Sequence, residues 1–135
     1  MPEFVLQGRD DPRFQALDSF TQAYIEAAIF TDEEQLGIDQ PTAELLSDHT
    51  FAAIVDDCAQ FQRWANLDAV PEHAHAGRTG IHEQAGHDFW MTRNGHGVGF
   101  WDGDWIEPHA NRLDNLSKRF GEFDLYRGDD GQIHH

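Results

Sequence analysis

Cysteine is nearly absent from this sequence of 135 residues, in which Cys58 is the single example. One cysteine cannot form an internal disulfide, and it excludes the zinc sites that are built from several thiolates. The spacing of the apolar residues places Cys58 on the apolar side of a predicted helix. We therefore interpret it as a small hydrophobic residue of the core and not as a nucleophile.

Basic residues are scarce as well. Nine Lys and Arg stand against 25 Asp and Glu, which gives a formal net charge of −16. Proteins bind nucleic acid largely through clusters of Lys and Arg that neutralise phosphates, so we expect no direct contact with nucleic acid. Anionic membrane surfaces are disfavoured for the same reason. The acidic excess is larger in residues 1–66, with 13 acidic and three basic side chains, than in residues 67–135, with 12 and six.

Long apolar runs are also missing. No stretch approaches the roughly 20 apolar residues that a membrane-spanning helix needs. The first residues, MPEFVLQGRDDPRF, lack the basic and apolar regions of a secretion signal. We therefore expect a cytoplasmic protein without a membrane partner. The hydrophobic fraction of 39%, with ten Phe and four Trp, is enough to form one folded core.

The hydrophobic spacing predicts an N-terminal arm over residues 1–13 and a single α+β domain over residues 14–135. We expect three to four helices packed on a short antiparallel sheet with a C-terminal hairpin. The predicted helices cover residues 14–30, 48–65, 80–94 and 108–120, and a loop that includes at most one helical turn covers residues 31–46. Residues 98–102 and the segments EFDLY and QIHH are predicted strands. A hairpin across Asn94 and Gly95 is the alternative to the third helix.

Residues 85–102 stand out, because they read AGHDFWMTRNGHGVGFWD and combine aromatic, glycine, histidine and acidic residues. Glu83 and His87 are four residues apart and share a helix face, so that with His96 they form an alternative three-ligand metal site. The motif HExxH is missing, as is any other established metal signature. We therefore predict no metal and no cofactor.

A catalytic alternative uses His87, Asp88, Arg93 and His96 as general acid, general base and anion-binding groups. None of the serines lies in the turn that exposes a nucleophile, and the glycines do not follow a phosphate-binding motif. We therefore expect a protein that is not an enzyme. In the structural interpretation of the same residues, Asp88 caps a helix or pairs with Arg93.

The predicted binding surface consists of acidic and aromatic side chains, namely Trp105, Asp102, Asp104, Asp56 and Asp57. Trp is one of the residues that dominate interface hot spots, and Trp105 lies in a polar loop. Phe89 and Phe100 are assigned to an aromatic core instead, in which each buried indole N–H needs an acceptor such as Asp88.

The block over residues 85–102 also carries a resemblance. It is similar to AGHDFWLTRNGHGAGFWD, a sequence of small proteins encoded by bacteriophages, prophages and plasmids of actinobacteria and proteobacteria. The segments FTQAYIEAAIFTDEE, DCAQF and FGEFDLYRGDDGQI resemble the layout of the same family, so the similarity covers most of residues 17–133. Met91 and Val98 depart from the usual Leu and Ala, and DGDWIEP replaces a shorter turn. The resemblance implies an origin in a mobile element but no mechanism, because the family has no settled activity.

The leading hypothesis is an acidic accessory protein of a phage or mobile element that binds a host protein with a basic surface. We expect it to inhibit a nucleic-acid-binding defence complex, as anti-CRISPR, anti-restriction and DNA-mimicking proteins do. One alternative is a small metal-dependent or acid–base enzyme that uses residues 83–96. Another is a soluble protein whose acidity is an adaptation to high salt.

Overall fold

A computed structural model describes residues 11–37, 43–75, 80–96, 99–101 and 104–135. The α-helices in these ranges are α1 (Pro12–Gln15), α2 (Ser19–Leu36), α3 (Asp48–Ala65), α4 (Ile81–Arg93) and α5 (His109–Arg119). Short 3-10 helices cover Leu67–Ala69 and Glu72–Ala74. Strands β1 (Tyr126–Arg127) and β2 (Ile133–His134) pair antiparallel, with Tyr126 opposite His134. The described chain is mostly helical with a small antiparallel sheet, which confirms the α+β prediction at this level.

Helices α3, α4 and α5 lie where the sequence predicts them. The Ser47 side chain accepts a hydrogen bond from the backbone N–H of Thr50 at 3.1 Å and so caps α3. Gly95 follows the end of α4 with a φ of +67°, the left-handed conformation that favours glycine. Because α4 is a continuous helix, the alternative hairpin across Asn94 and Gly95 is wrong.

The first predicted helix differs from the structure at both ends. Residues 12–15 form the separate helix α1, and the Arg13 guanidinium donates to Asp48 at 3.1 Å, so this end of the predicted arm is docked on the domain. Residues 1–10 of the arm lie outside the described residues. Helix α2 continues to Leu36, through much of the predicted loop. Glu, Gln and Leu have good helix propensity, and the Leu36 side chain is buried, so a helix is favoured there.

The predicted strand over residues 98–102 is wrong in its described part, since Gly99 to Trp101 adopt bend and turn conformations. Gly99 has a φ of +147°, and a Cβ at this position would overlap Oγ1 of Thr92. The same Oγ1 accepts a hydrogen bond from the Phe100 N–H at 3.1 Å. These contacts hold the segment against helix α4, so it does not pair in a sheet.

The main contact of the core lies between helices α2 and α4. Gly86 faces the backbone of Phe20 so closely that a Cβ would overlap the Phe20 carbonyl oxygen. Phe61 of α3 stacks on Phe89 of α4 with ring centroids 4.3 Å apart. Helices therefore form the centre of the core, while the small sheet contacts α2 and α3.

The C-terminal strand is attached to the start of α3 by backbone hydrogen bonds. The Ile133 N–H donates to the Leu45 carbonyl at 2.7 Å, and the Ile133 carbonyl accepts from the Ser47 N–H at 3.0 Å. The Ile133 side chain is fully buried. Strand β2 thus closes the core beside the capping residue of α3.

Candidate partner-binding site

Asp88 of helix α4 is buried among three hydrogen-bonding side chains. Its Oδ2 accepts from the indole Nε1–H of Trp105 at 2.7 Å, while its Oδ1 lies 2.9 Å from His87 Nδ1 and 3.1 Å from Gln84 Nε2. A carboxylate withdrawn from water needs such partners to offset its desolvation. The predicted pairing of Asp88 with Arg93 is wrong, because other donors occupy both Asp88 oxygens.

Trp105 belongs to the core and not to the surface. Its side chain is only 3% exposed, and its ring centroid lies 5.2 Å from Phe100 and 4.9 Å from His75. The prediction of Trp105 as an exposed binding residue is therefore wrong. The physical reason is the buried Asp88 carboxylate, which accepts the indole N–H and so satisfies the one polar group of the Trp105 side chain inside the core.

Arg93 lies in a separate network on the other side of α4. Its guanidinium donates to Tyr24 Oη at 3.1 Å and to Asp57 Oδ2 at 3.0 Å, and also to the carbonyls of Phe120 and Gly121. The Arg93 side chain is almost fully buried. It therefore joins helices α2, α3 and the end of α5, with its donors already in use. Asp57, a predicted binding residue, is engaged in this ion pair.

His96 lies apart from His87 and Asp88. Its ring stacks on Trp90 with centroids 6.1 Å apart, and its Nε2 is 4.0 Å from Asp32 Oδ1. Burial raises the pKa of Asp32 above its ordinary value, although the nearby His96 opposes the shift. The four residues of the catalytic alternative therefore lie in three separate places, and only His87 and Asp88 are in contact.

The residues of the alternative metal site do not come together either. In the ranges that the structure describes, no group of three His, Cys, Asp or Glu side chains is placed to hold a metal ion. Glu83, His87 and His96 therefore do not form the three-ligand site. Two of them share a face of α4, but His96 follows the helix and turns to Trp90 and Asp32.

Cys58 is fully buried on α3, which confirms its interpretation as a core residue. Burial raises the pKa of its thiol well above the ordinary value. The reactive thiolate form is correspondingly disfavoured, so the chain offers no activated cysteine at this position.

The remaining predicted binding residues are acidic. Asp56 of α3 and Asp104 are both exposed. Asp102 lies outside the described residues. Of the predicted set, then, Asp56 and Asp104 are surface carboxylates, whereas Trp105 is buried and Asp57 is paired with Arg93.

A groove of about 340 Å³ lies beside helix α5, and we call it the Trp101 groove. It is lined by Trp101, Trp105, Glu107, Ala110, Asn111 and Asp114. Trp101 is 54% exposed, so much of its indole is open to solvent. Sequence reasoning missed this site, because it assigned exposure to the wrong tryptophan of the WDGDW segment. The available signal was the spacing of Glu107, Asn111 and Asp114, which places three polar groups along one helix face.

Asp114 is the buried carboxylate of the Trp101 groove. Its Oδ2 accepts from Lys118 Nζ at 3.0 Å. Its Oδ1 is buried and accepts no hydrogen bond from the described part of the chain. An unsatisfied buried acceptor costs about 1–3 kcal/mol. Asp114 therefore adds a negative charge to the lining of the groove, while its Oδ1 is closed to solvent.

Comparison with known proteins identifies no relative. No protein-family model matches the sequence, and neither a curated protein nor a solved structure matches it. The resemblance of residues 85–102 to proteins of mobile elements therefore stays a prediction, and the function must be argued from the residues themselves.

Proposed function

We propose that this protein acts by binding a partner protein with a basic surface, and that it is not an enzyme. The formal net charge of −16 is the starting point. Charge alone is also typical of salt-adapted surfaces, so the proposal depends on how the fold distributes its few cations and its exposed tryptophans.

The observation that carries the proposal is that several Lys and Arg side chains are bonded to other groups of the same chain. Arg13, Arg93 and Lys118 each form an ion pair with an Asp of the same chain. Arg112 and Arg127 donate to the backbone carbonyls of Ala65 and Gly37. These five cations are held at fixed positions by intramolecular bonds, and with the exposed Arg63 and Arg119 they are far outnumbered by the carboxylates.

Exposed carboxylates remain on several elements of the described chain. They include Glu34, Glu44, Asp48, Asp56, Asp68, Glu83, Asp104, Glu107, Glu122, Asp124, Asp129 and Asp130, of which Asp48 is paired with Arg13. Their combined field attracts a basic protein over distances of about 8–10 Å, the screening length near physiological salt. A cleft that binds nucleic acid is a basic surface of this kind.

We further propose that the partner is a host protein of a nucleic-acid-binding defence complex, such as a CRISPR or restriction system, and that this chain inhibits it as a DNA mimic. The resemblance of residues 85–102 to phage and plasmid proteins supports this setting, as does the sign of the charge. The expected place of action is the host cytoplasm. None of the helices in the described ranges has both the length and the apolar character needed to cross a membrane.

Affinity capture tests the proposal. The immobilised protein is incubated at low salt with a nuclease-treated bacterial lysate, and bound proteins are eluted with rising NaCl and identified by mass spectrometry. We expect basic, nucleic-acid-binding proteins that elute as the salt rises. Capture of no basic protein, or capture that is indifferent to salt, contradicts the proposal. If the protein also needs added salt to fold, this result supports the alternative that its acidity is an adaptation to high salt.

Acid–base catalysis by His87 is the second candidate, and one observation favours it. The Nδ1 atom of His87 lies 2.9 Å from the buried carboxylate of Asp88, and the His87 side chain is 28% exposed. A carboxylate in this position orients an imidazole for proton transfer. Turnover of a chromogenic ester or phosphodiester that is lost in His87→Ala supports this candidate, while absence of turnover across such a panel contradicts it.

A further inference from the structure

We infer that the Trp101 groove takes an arginine side chain of the partner protein. This inference rests on the proposed function, because it names the chemical group by which a basic partner is anchored. The groove combines an exposed aromatic face, two carboxylate side chains and an amide within one cavity, as described above. Each of these features favours a planar, cationic hydrogen-bond donor.

The aromatic part of the groove is supplied by two tryptophans with different roles. Trp105 is fixed by its hydrogen bond to Asp88 at 2.7 Å, so it forms a rigid inner wall. Trp101 is 54% exposed, so part of its side chain is open to a ligand. Trp is the aromatic residue that attracts cations most strongly through its ring face, and a guanidinium stacks on it well.

The polar part of the groove lies on and just before helix α5. Asp114 is about nine-tenths buried, and its Oδ1 accepts no hydrogen bond from the described residues. Glu107 is exposed and uses Oε1 to accept the Asn111 N–H at 3.1 Å. A guanidinium offers five N–H donors in a planar fork, so it can bond to a carboxylate while it lies against an indole.

Lys118 competes with an incoming guanidinium for the Asp114 carboxylate. Its ammonium lies 3.0 Å from Asp114 Oδ2, and its side chain is 62% exposed. An incoming guanidinium shares Asp114 with this ammonium and is repelled by it. Removal of the Lys118 charge should therefore strengthen binding of a cation, an effect opposite to the one expected from loss of a purely structural ion pair.

The source of the guanidinium is a protein and not free arginine. Free arginine carries an α-ammonium as well as an α-carboxylate, so its net charge equals that of an arginine side chain within a polypeptide. Both of these groups would have to lose water beside Glu107 and the Trp101 indole, a desolvation cost that a peptide-linked arginine avoids. The capped residue N-acetyl-L-arginine methylamide is therefore the appropriate probe, and free L-arginine distinguishes the two sources.

The experiment is an NMR titration of the ¹⁵N-labelled protein, followed at the indole N–H resonances. The Trp101 signal is assigned with Trp101→Phe. We expect the capped arginine to shift this signal with saturation and the neutral capped citrulline not to shift it. Trp64 of α3 is 56% exposed and provides the matched control, because its signal should not respond.

Variants separate binding from folding. We expect Glu107→Gln and Asp114→Asn to weaken binding by roughly fivefold or more, since each removes one charge near the cation. Lys118→Met is expected to tighten it by about threefold, as removal of a like charge does at an exposed site. Glu107→Gln keeps an acceptor for Asn111, so it remains informative if Asp114→Asn fails to fold.

Several results would overturn the inference. They are an unchanged Trp101 signal, equal shifts with citrulline, unchanged affinity in Glu107→Gln, or weaker binding in Lys118→Met. If free L-arginine bound more tightly than the capped arginine, the groove would be a site for a small molecule, which contradicts a protein source. Salt-sensitive capture of basic proteins that is the same for wild type and Trp101→Ala would leave the proposed function standing while this inference fails. Binding of capped arginine without capture of any basic protein would contradict the proposed function, and with it the protein source of the guanidinium, while the groove would still bind a guanidinium.

Discussion

The indole N–H of Trp105 donates to Asp88 at 2.7 Å, and this bond determines which tryptophan of the segment faces solvent. It joins the stretch before α5 to the middle of α4 and places Trp105 in the core. Trp101 remains exposed on the groove. The aromatic anchor available to a partner is therefore Trp101, four residues before the one expected from the sequence.

Trp105→Phe should lower the free energy of unfolding by about 1–3 kcal/mol, because Asp88 loses a donor while it stays buried. Urea unfolding followed by circular dichroism measures the change. The control Trp101→Phe should stay within about 0.5 kcal/mol of wild type, as exposed substitutions usually do. Equal stability of both variants would show that the bond to Asp88 contributes little.

Arg93→Met should be among the most damaging single substitutions. It leaves the buried Tyr24 hydroxyl, two backbone carbonyls and the partly exposed Asp57 carboxylate without their donor, and each buried acceptor left without a donor costs about 1–3 kcal/mol. Arg119→Met on the exposed end of α5 is the control, with an expected loss below about 1 kcal/mol. Thermal and urea unfolding distinguish the two, and a stable Arg93→Met protein would refute the structural role of this cation.

Gly86→Ala tests the close contact of helices α2 and α4. The added methyl group overlaps the Phe20 carbonyl, so the helices must move apart, at an expected cost of about 1–3 kcal/mol. Gly80→Ala, where the nearest atom is 3.9 Å from the new Cβ, should cost less than about 1 kcal/mol. If Gly86→Ala were as stable as wild type, the two helices could not be packed this closely.

Asp18 makes part of the stability depend on pH. It accepts hydrogen bonds from the Thr21 N–H at 2.8 Å and from Gln62 Nε2 at 3.1 Å. Burial acts to raise the pKa of Asp18, but these hydrogen bonds outweigh it and hold the pKa below its ordinary value. A carboxyl group whose pKa is lowered by folding stabilises the fold above its unfolded pKa. That contribution is lost as the pH falls through the folded value.

Asp18→Ala should therefore cost about 1 kcal/mol at pH 7, as loss of a helix cap does. The difference from wild type should shrink below about pH 4, where the carboxyl group of the unfolded chain begins to protonate while the folded one, with its lower pKa, is still ionised. Urea unfolding at a series of pH values measures this, with exposed Asp56→Ala as the control. A difference that is the same at pH 3 and pH 7 would contradict the assigned shift.

The regular elements were predictable where local signals agreed. Ser47 before an apolar face and Gly95 after one mark the ends of α3 and α4, and both positions act as predicted. The extension of α2 to Leu36 was not predictable from polarity, because the burial of Leu36 depends on the tertiary packing. The conformation at Gly99 was not predictable either, since its contact with Thr92 forms only when the chain folds back on α4.

The candidate site was predictable only in its chemistry. An acidic, tryptophan-containing surface was expected, and the groove has that composition. Its location depends on the partner of Asp88, which is set by the helix faces that meet in three dimensions. The sequence offered Arg93 or a buried indole N–H as this partner, and the structure gives Asp88 to Trp105 and Arg93 to Asp57. Trp105 is therefore buried, and Trp101 is the exposed tryptophan of the groove.

The most direct test of the central claim is the salt concentration at which a captured basic protein elutes from this chain and from two charge variants. One variant, Asp56→Asn with Glu122→Gln and Asp129→Asn, removes exposed carboxylates, and the other, Arg63→Gln with Arg119→Gln, removes exposed cations. Electrostatic binding predicts elution at lower salt for the first and at higher salt for the second, with wild type between them. Elution of all three at the same salt concentration would contradict binding through the negative surface.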